Sequence, residues 1–141
     1  MTAPDTLERV VMVAILAATI WYTVLVVRRR NARRLERLIG RTDLWNQLGI
    51  APDGRPTLVT FSTPSCAACH RAQAPAARAV VDRLQEVRHV NVDAAAQPHV
   101  AKAFGVLTVP STAILASAGQ LVAVNQGFAP SAKLIEQILS A

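Results

Sequence analysis

Hydrophobic and polar positions fall into distinct regimes along this chain. Val10 to Val27 (VVMVAILAATIWYTVLVV) holds 18 residues with no charge, Gly or Pro. As a helix rising 1.5 Å per residue, such a run spans about 27 Å, close to the hydrocarbon core of a bilayer. It is apolar on every face, unlike an amphipathic helix of a soluble core. A cleaved signal peptide needs a basic start and a short apolar stretch ending in small residues. Here the start carries Asp5, Glu8 and a single Arg9, and apolar sequence continues past Ala17-Ala18. The pattern predicts one transmembrane helix over residues 10–27.

Residues 28–39 (RRRNARRLERLI) are expected to carry this helix beyond the membrane, with Leu35, Leu38 and Ile39 on one face and Gly40 as its stop. Such a segment either lies against anionic headgroups or forms a solvated flank. Between Gly40 and Thr57 the signals weaken. Asp43 to Leu48 can form one or two helical turns, and residues 51–56 (APDGRP) read as a turn around Pro-Asp-Gly.

From there strand and helix alternate. Thr57–Ser62 (TLVTFS) is a short apolar, β-branched strand, and Ala67–Glu86 is helical, with Val80, Val81 and Leu84 on one face and Pro75 bending its start. Val87–Val92 alternates as a strand does, and Pro98–Phe104 is a brief helix. Ser111–Ser117 and Gln120–Asn125 form a hairpin across Ala118-Gly119. Pro130–Ser140 closes the chain as an amphipathic helix with Leu134, Ile135 and Ile138 facing inward. The predicted order after the anchor is β-α-β-α-β-β-α, an α/β domain over residues 42–141 behind an anchoring segment over residues 1–41.

Charge refines the division. Residues 1–41 hold eight arginines against Asp5, Glu8 and Glu36, a net +5, whereas the remainder nets only +1. The folded domain thus offers no basic face for nucleic acid. Arg28, Arg29, Arg30, Arg33, Arg34 and Arg37 crowd the C-terminal flank of the apolar run. The positive-inside rule places that flank, and the domain after it, on the cytoplasmic side. The lipid bilayer is then one partner, through residues 10–27.

Both cysteines lie in one C-x-x-C, Cys66-Ala67-Ala68-Cys69, four residues after a strand and opening a helix. Unpaired N–H groups at a helix start stabilise an anion and so lower a thiol pKa. The thiolate is the species that attacks disulfides. Cys69, one turn later, can reach Cys66 and expel a substrate from a mixed disulfide. Val109-Pro110 precedes a strand, where a missing N–H costs no ladder bond.

FSTPSCAAC at 61–69, NVD at 91–93, FGVLTVPST at 104–112 and Gly127 together resemble the thioredoxin superfamily over roughly residues 42–141. The resemblance implies a three-layer sandwich, a mixed sheet of four or five strands with flanking helices. It implies Cys66 as nucleophile and Cys69 as resolving thiol. It also implies a cis Pro110 that, with the backbone of Val109, binds the substrate chain. The departures are Ser65 where the family has Trp, Ala67-Ala68 where it has Gly-Pro, and Thr60 where it has a buried carboxylate. His89 stands for the neighbouring Lys. His89 can carry a proton near neutrality, and His70 adjoins the pair. No cofactor is implied. The expected activity is thiol–disulfide exchange in the direction of reducing protein disulfides, with membrane-bound ones among the candidate partners.

Other readings remain at this stage. CAACH is also the haem-attachment motif, with His70 as axial ligand and His89 or His99 opposite, which would make an anchored electron carrier. Zinc on Cys66, Cys69, His70 and a further His lacks the second two-ligand knuckle such sites use. The same fold on the outer side of the membrane would serve disulfide formation or cytochrome maturation.

Overall fold

The run TLVTFS becomes the central strand, β1 (Thr57–Ser62), because its β-branched and aromatic side chains are buried on both faces. In the computed structural model, which describes residues 4–141, β1 pairs in parallel with β2 (Arg88–Asp93) and antiparallel with β3 (Ser111–Leu115). β3 pairs antiparallel with β4 (Leu121–Gln126), which gives the sheet order β2-β1-β3-β4. A parallel pair requires a crossover connection. The active-site helix supplies it, first as a turn from Ala67, then as a π-helical turn at Cys69–Gln73, then as α3.

The helices, in chain order, are α1 (Pro4–Glu36), α2 (Leu44–Leu48), α3 (Ala74–Arg83), α4 (Pro98–Ala103) and α5 (Ser131–Leu139). The chain divides into two units, one ending at Glu36 and one running Arg37–Ala141. Among the described residues α1 is the one helix long and apolar enough to cross a membrane, by length and composition.

Strand alternation sorts the sheet side chains onto two faces. Val59, Phe61, Val92, Ala113 and Leu115 meet α2 and α4 in one core, where Phe61 and Phe104 stack at 5.4 Å with their planes tilted by 55°. Leu58 and Ile114 meet Ala77 and Val80 of α3 and Leu134 and Ile138 of α5 in the other. Each fully buried aliphatic or aromatic side chain of this kind contributes about 1.5–3 kcal/mol.

Several boundaries differ from expectation, each for a physical reason. The N-terminal helix stops at Glu36 rather than Ile39, because Leu38 is packed against the α2/α4 core. Gly40, at φ +84°, then donates its N–H to the carbonyl of Leu121 (2.8 Å), and Leu121 N–H donates to Arg41 (2.9 Å). Leu38 is therefore unavailable to a lipid surface, and the two bonds fasten residues 40 and 41 to the start of β4. Leu84 lies just beyond α3, which ends at Arg83, yet still packs on the core. The strand after it begins at Arg88 rather than Val87. The π-turn precedes Pro75, which has no N–H to give and whose ring would crowd the preceding carbonyls. The sequence suggested only a bend there.

Candidate active site

β1 ends at Ser62, and residues 63–65 turn the chain so that Cys66 N–H donates to the carbonyl of Thr63 (3.1 Å). His70 N–H donates to the carbonyl of Cys66 (3.3 Å), so Cys66 opens the helix as the spacing predicted. The two sulfurs are joined in a disulfide with a Cα–Cα distance of 5.3 Å. The two cysteines differ in access: Cys66 is half-buried, whereas Cys69 is 3% exposed. The Cys69 N–H points at the Cys66 sulfur at 3.1 Å, a donor that favours negative charge there.

Behind the pair lies a cavity of about 210 Å³ lined by Cys69, His70 and Gln73 from the active-site helix, Thr60 and Ser62 from β1, and His89 and Asn91 from β2. Parallel register sets Thr60 beside Asn91. The Thr60 hydroxyl is 2.9 Å from Asn91 Oδ1 and 3.0 Å from His89 Nε2, and Ser62 Oγ donates to the same Asn91 oxygen (3.1 Å). Thr60 has one proton. When it goes to Asn91, His89 must donate through Nε2, which leaves Nδ1 as the basic nitrogen. Burial pushes the His89 pKa below its ordinary value.

The remaining site residues named from sequence distribute as follows. His70 is exposed, and its Nε2 is 3.2 Å from the carbonyl of Pro64, so the ring donates there and closes the turn before Cys66. Ser65 is exposed on that turn. The Val109–Pro110 bond is cis, with Val109 half-buried and Pro110 buried. Because Ser111 pairs with Phe61, this loop enters β3 at the same end of the sheet from which the cysteine loop leaves β1. His99 lies apart, exposed on α4. Among the described residues, no three His, Cys, Asp or Glu side chains converge in a metal-binding arrangement.

Sequence reasoning missed Ser62, Gln73 and Asn91. The alternation of β1 could have offered Ser62, two residues after Thr60 on the same face. Gln73 had no signal: its inward position depends on the π-turn. It is 2% exposed, and both ends of its amide bond Ala129, Oε1 accepting from Ala129 N–H (2.9 Å) and Nε2 donating to Ala129 O (3.2 Å).

Comparison with known proteins bears on this geometry. A search of curated proteins finds no match. Among solved structures, the chain is similar to thioredoxin of Fasciola hepatica (26% identity, 70% of this chain and 88% of that one, TM-score 0.55). It is similar in fold to mitochondrial thioredoxin 3 of Saccharomyces cerevisiae in its oxidised form (23% identity, 64% and 82%, TM-score 0.56). It is also similar in fold to MTB dsbF (22% identity, 62% and 81%, TM-score 0.52). CAACH thus reads as a redox pair followed by a histidine that holds the preceding turn. The family model described as Thioredoxin matches residues 42–140, and with the bonded Cys66–Cys69 pair at the head of a helix it supports thiol–disulfide oxidoreductase chemistry at a general level; the chain belongs to the thioredoxin family.

Proposed function

We propose that the chain is a membrane-tethered oxidoreductase that reduces protein disulfides, with Cys66 as nucleophile and Cys69 as resolving thiol. The observation that carries this reading is the asymmetry of the pair: Cys66 half-buried with an N–H donor on its sulfur, and Cys69 buried beside a cavity whose lining includes Thr60, Ser62, His89 and Asn91. Reduced Cys66, as thiolate, attacks a substrate disulfide; a new S–S bond forms and the first substrate sulfur leaves as thiolate. Cys69 gives up its proton, attacks the Cys66 sulfur, and releases the second substrate sulfur. Two electrons have passed to the substrate, and the pair ends as the Cys66–Cys69 disulfide, to be reset by an external dithiol reductant. His89, neutral near pH 7 and lining the cavity with Cys69, is the group suited to accept the Cys69 proton through cavity water. The backbone at Val109–Pro110 is suited to hold the substrate chain.

In this reading the tether is α1, with residues 10–27 in the bilayer, and the arginines from Arg28 to Arg37 favour a cytoplasmic domain by the positive-inside rule. We take the catalytic domain to be the remainder of the chain, with Leu38 to Arg41 contributing to its fold. Cys69→Ser in the full chain, incubated with a protein disulfide, is expected to accumulate a mixed disulfide through Cys66, and Cys66→Ser is expected to form none. Absence of any Cys69→Ser adduct would sink the assigned roles. A reduction potential near roughly −270 mV supports the reductive direction, and one near roughly −120 mV reverses it. A reporter after Ala141 active only outside the cytoplasm would overturn the sidedness.

A further inference from the structure

α1 runs unbroken from the apolar span to Glu36, so the arginines that follow Val27 stand on a helix rather than on a loop. Arg28, Arg29, Arg30, Arg33 and Arg34 face a single acid there, Glu36, and residues 28–36 hold no lysine. All five arginines are exposed, and among the described residues none of them makes an ion pair. At about 100° per residue, Arg29, Arg30, Arg33 and Arg34 share about 140° of the helix surface. Arg29 with Arg33, and Arg30 with Arg34, are neighbours one turn apart. The apolar positions beside them do not continue as a stripe, because Leu38 is folded into the domain core. Without that stripe the segment has no apolar face to lay along a membrane surface, and it meets the membrane through its charges.

Distance decides which anion these arginines meet. Arg29 to Arg34 lie about 3–10 Å beyond Val27 along the helix, and the headgroup layer is about 5–7 Å deep on each side of the hydrocarbon. Helical side chains lean towards the N-terminus, which here is back towards the bilayer, so the guanidinium groups return to the level of the lipid phosphates. Arginine presents a planar fork of donors that phosphate oxygens accept two at a time. We propose that the Arg29/Arg33 and Arg30/Arg34 pairs form a binding surface for anionic phospholipid, each pair holding one headgroup phosphate. This rests on the transmembrane reading of α1 and goes beyond it: the arginines select the lipids that surround the anchor. A zwitterionic lipid carries its own cation beside the phosphate, so it competes poorly for the same forks.

The test uses the full chain reconstituted in vesicles of phosphatidylcholine and phosphatidylglycerol. One or the other lipid carries brominated acyl chains, which quench tryptophan on contact. Trp21, 69% exposed within the span, is the reporter, while Trp45 is buried in the domain core and gives a constant background. The wild-type chain is expected to favour phosphatidylglycerol about 5-fold at low salt, the scale of one arginine beside an anionic surface. That preference should shrink as salt rises. Arg29→Gln, Arg30→Gln, Arg33→Gln and Arg34→Gln together should bring the two lipids towards equality, and the corresponding four lysine substitutions should keep part of the preference through charge alone. Equal quenching by the two lipids in the wild type, or an undiminished preference in the glutamine variant, would overturn the inference. If neither brominated lipid quenches Trp21, α1 does not lie in the bilayer, and the tether reading falls together with this one.

Discussion

Cutting the chain at Thr42, where the family match begins, should leave a damaged domain, whereas cutting at Arg37 should not. The difference between the two fragments is five residues, and three interactions depend on them. Leu38 is partly buried against the α2/α4 core, so removing it costs about 1–2 kcal/mol. Gly40 N–H and Arg41 O each bond the backbone of Leu121, a residue 1% exposed. Losing both partners costs about 1 kcal/mol per bond, more where water cannot replace them. The Arg41–Asp43 ion pair is fully solvated and adds nothing to the estimate. The expected penalty is about 3–4 kcal/mol, a large share of the 5–15 kcal/mol typical of a domain. Urea unfolding of the 37–141 and 42–141 fragments, followed by Trp45 fluorescence, reads it directly. Leu38→Ala in the longer fragment should reproduce about a third to a half of the loss. Midpoints within error of one another would show that residues 37–41 are passive linker and refute the reasoning.

Two further outcomes follow from single positions. Gly119 sits at φ +91°, and a Cβ there would lie 2.7 Å from Trp45 Nε1, which donates to the Gly119 carbonyl (3.0 Å). Gly119→Ala should therefore cost about 2–4 kcal/mol from strain and a displaced buried Trp, measured by the same unfolding assay, and a change under about 0.5 kcal/mol would contradict the contact. His89 has a depressed pKa, so the unfolded chain binds its proton first as pH falls; the stability it lends is present above about 6.5 and is lost as pH falls from there through the folded value. His89→Gln should flatten that slope and slow the Cys69 resolving step about 10-fold or more at pH 7, read as a longer-lived mixed disulfide. An unchanged resolving rate across pH would remove His89 from the mechanism.

Much of this was legible before the structure. The two apolar regimes, 18 uninterrupted residues against short alternating strands, separate α1 from the domain because helix and strand periods differ. The cysteine pair was legible because its chemistry needs only a strand, a turn and a helix start in succession. The opening of the domain was not: Leu38 reads as one face of an arginine-rich helix, and nothing local says that it turns away to join a core. The π-turn was hidden for a similar reason, since Pro75 signals a disturbance but not how the backbone absorbs it. The cavity depends on parallel register between β1 and β2, a long-range fact that sets Thr60 beside Asn91 rather than one residue away.

That register also bears on the proposed role of His89, since Thr60 stands where the resemblance led one to expect a buried carboxylate near the proposed resolving thiol. The face of the sheet toward α3 and α5 is apolar at Leu58 and Ile114 and becomes polar towards the cysteines, at Thr60, Ser62, Asn91, Thr112 and Asn125. Each of these polar side chains finds a partner: Thr60 with Asn91 and His89, Thr112 with Asn125, and Asn125 with Gln137 through both amide atoms. Thr60, Thr112 and Asn125 are buried and, satisfied in this way, cost little to bury, while half-buried Ser62 and exposed Asn91 open that wall to water. A carboxylate base would start charged and end neutral as the thiol ionises. With His89 as the proposed base, its imidazole starts neutral and ends cationic, and the new Cys69 thiolate lies on the lining of the same cavity. That product is an ion pair, which needs hydration or mutual attraction to form, and the partly exposed edge position of His89 on β2 supplies the first while the cavity's small size supplies the second.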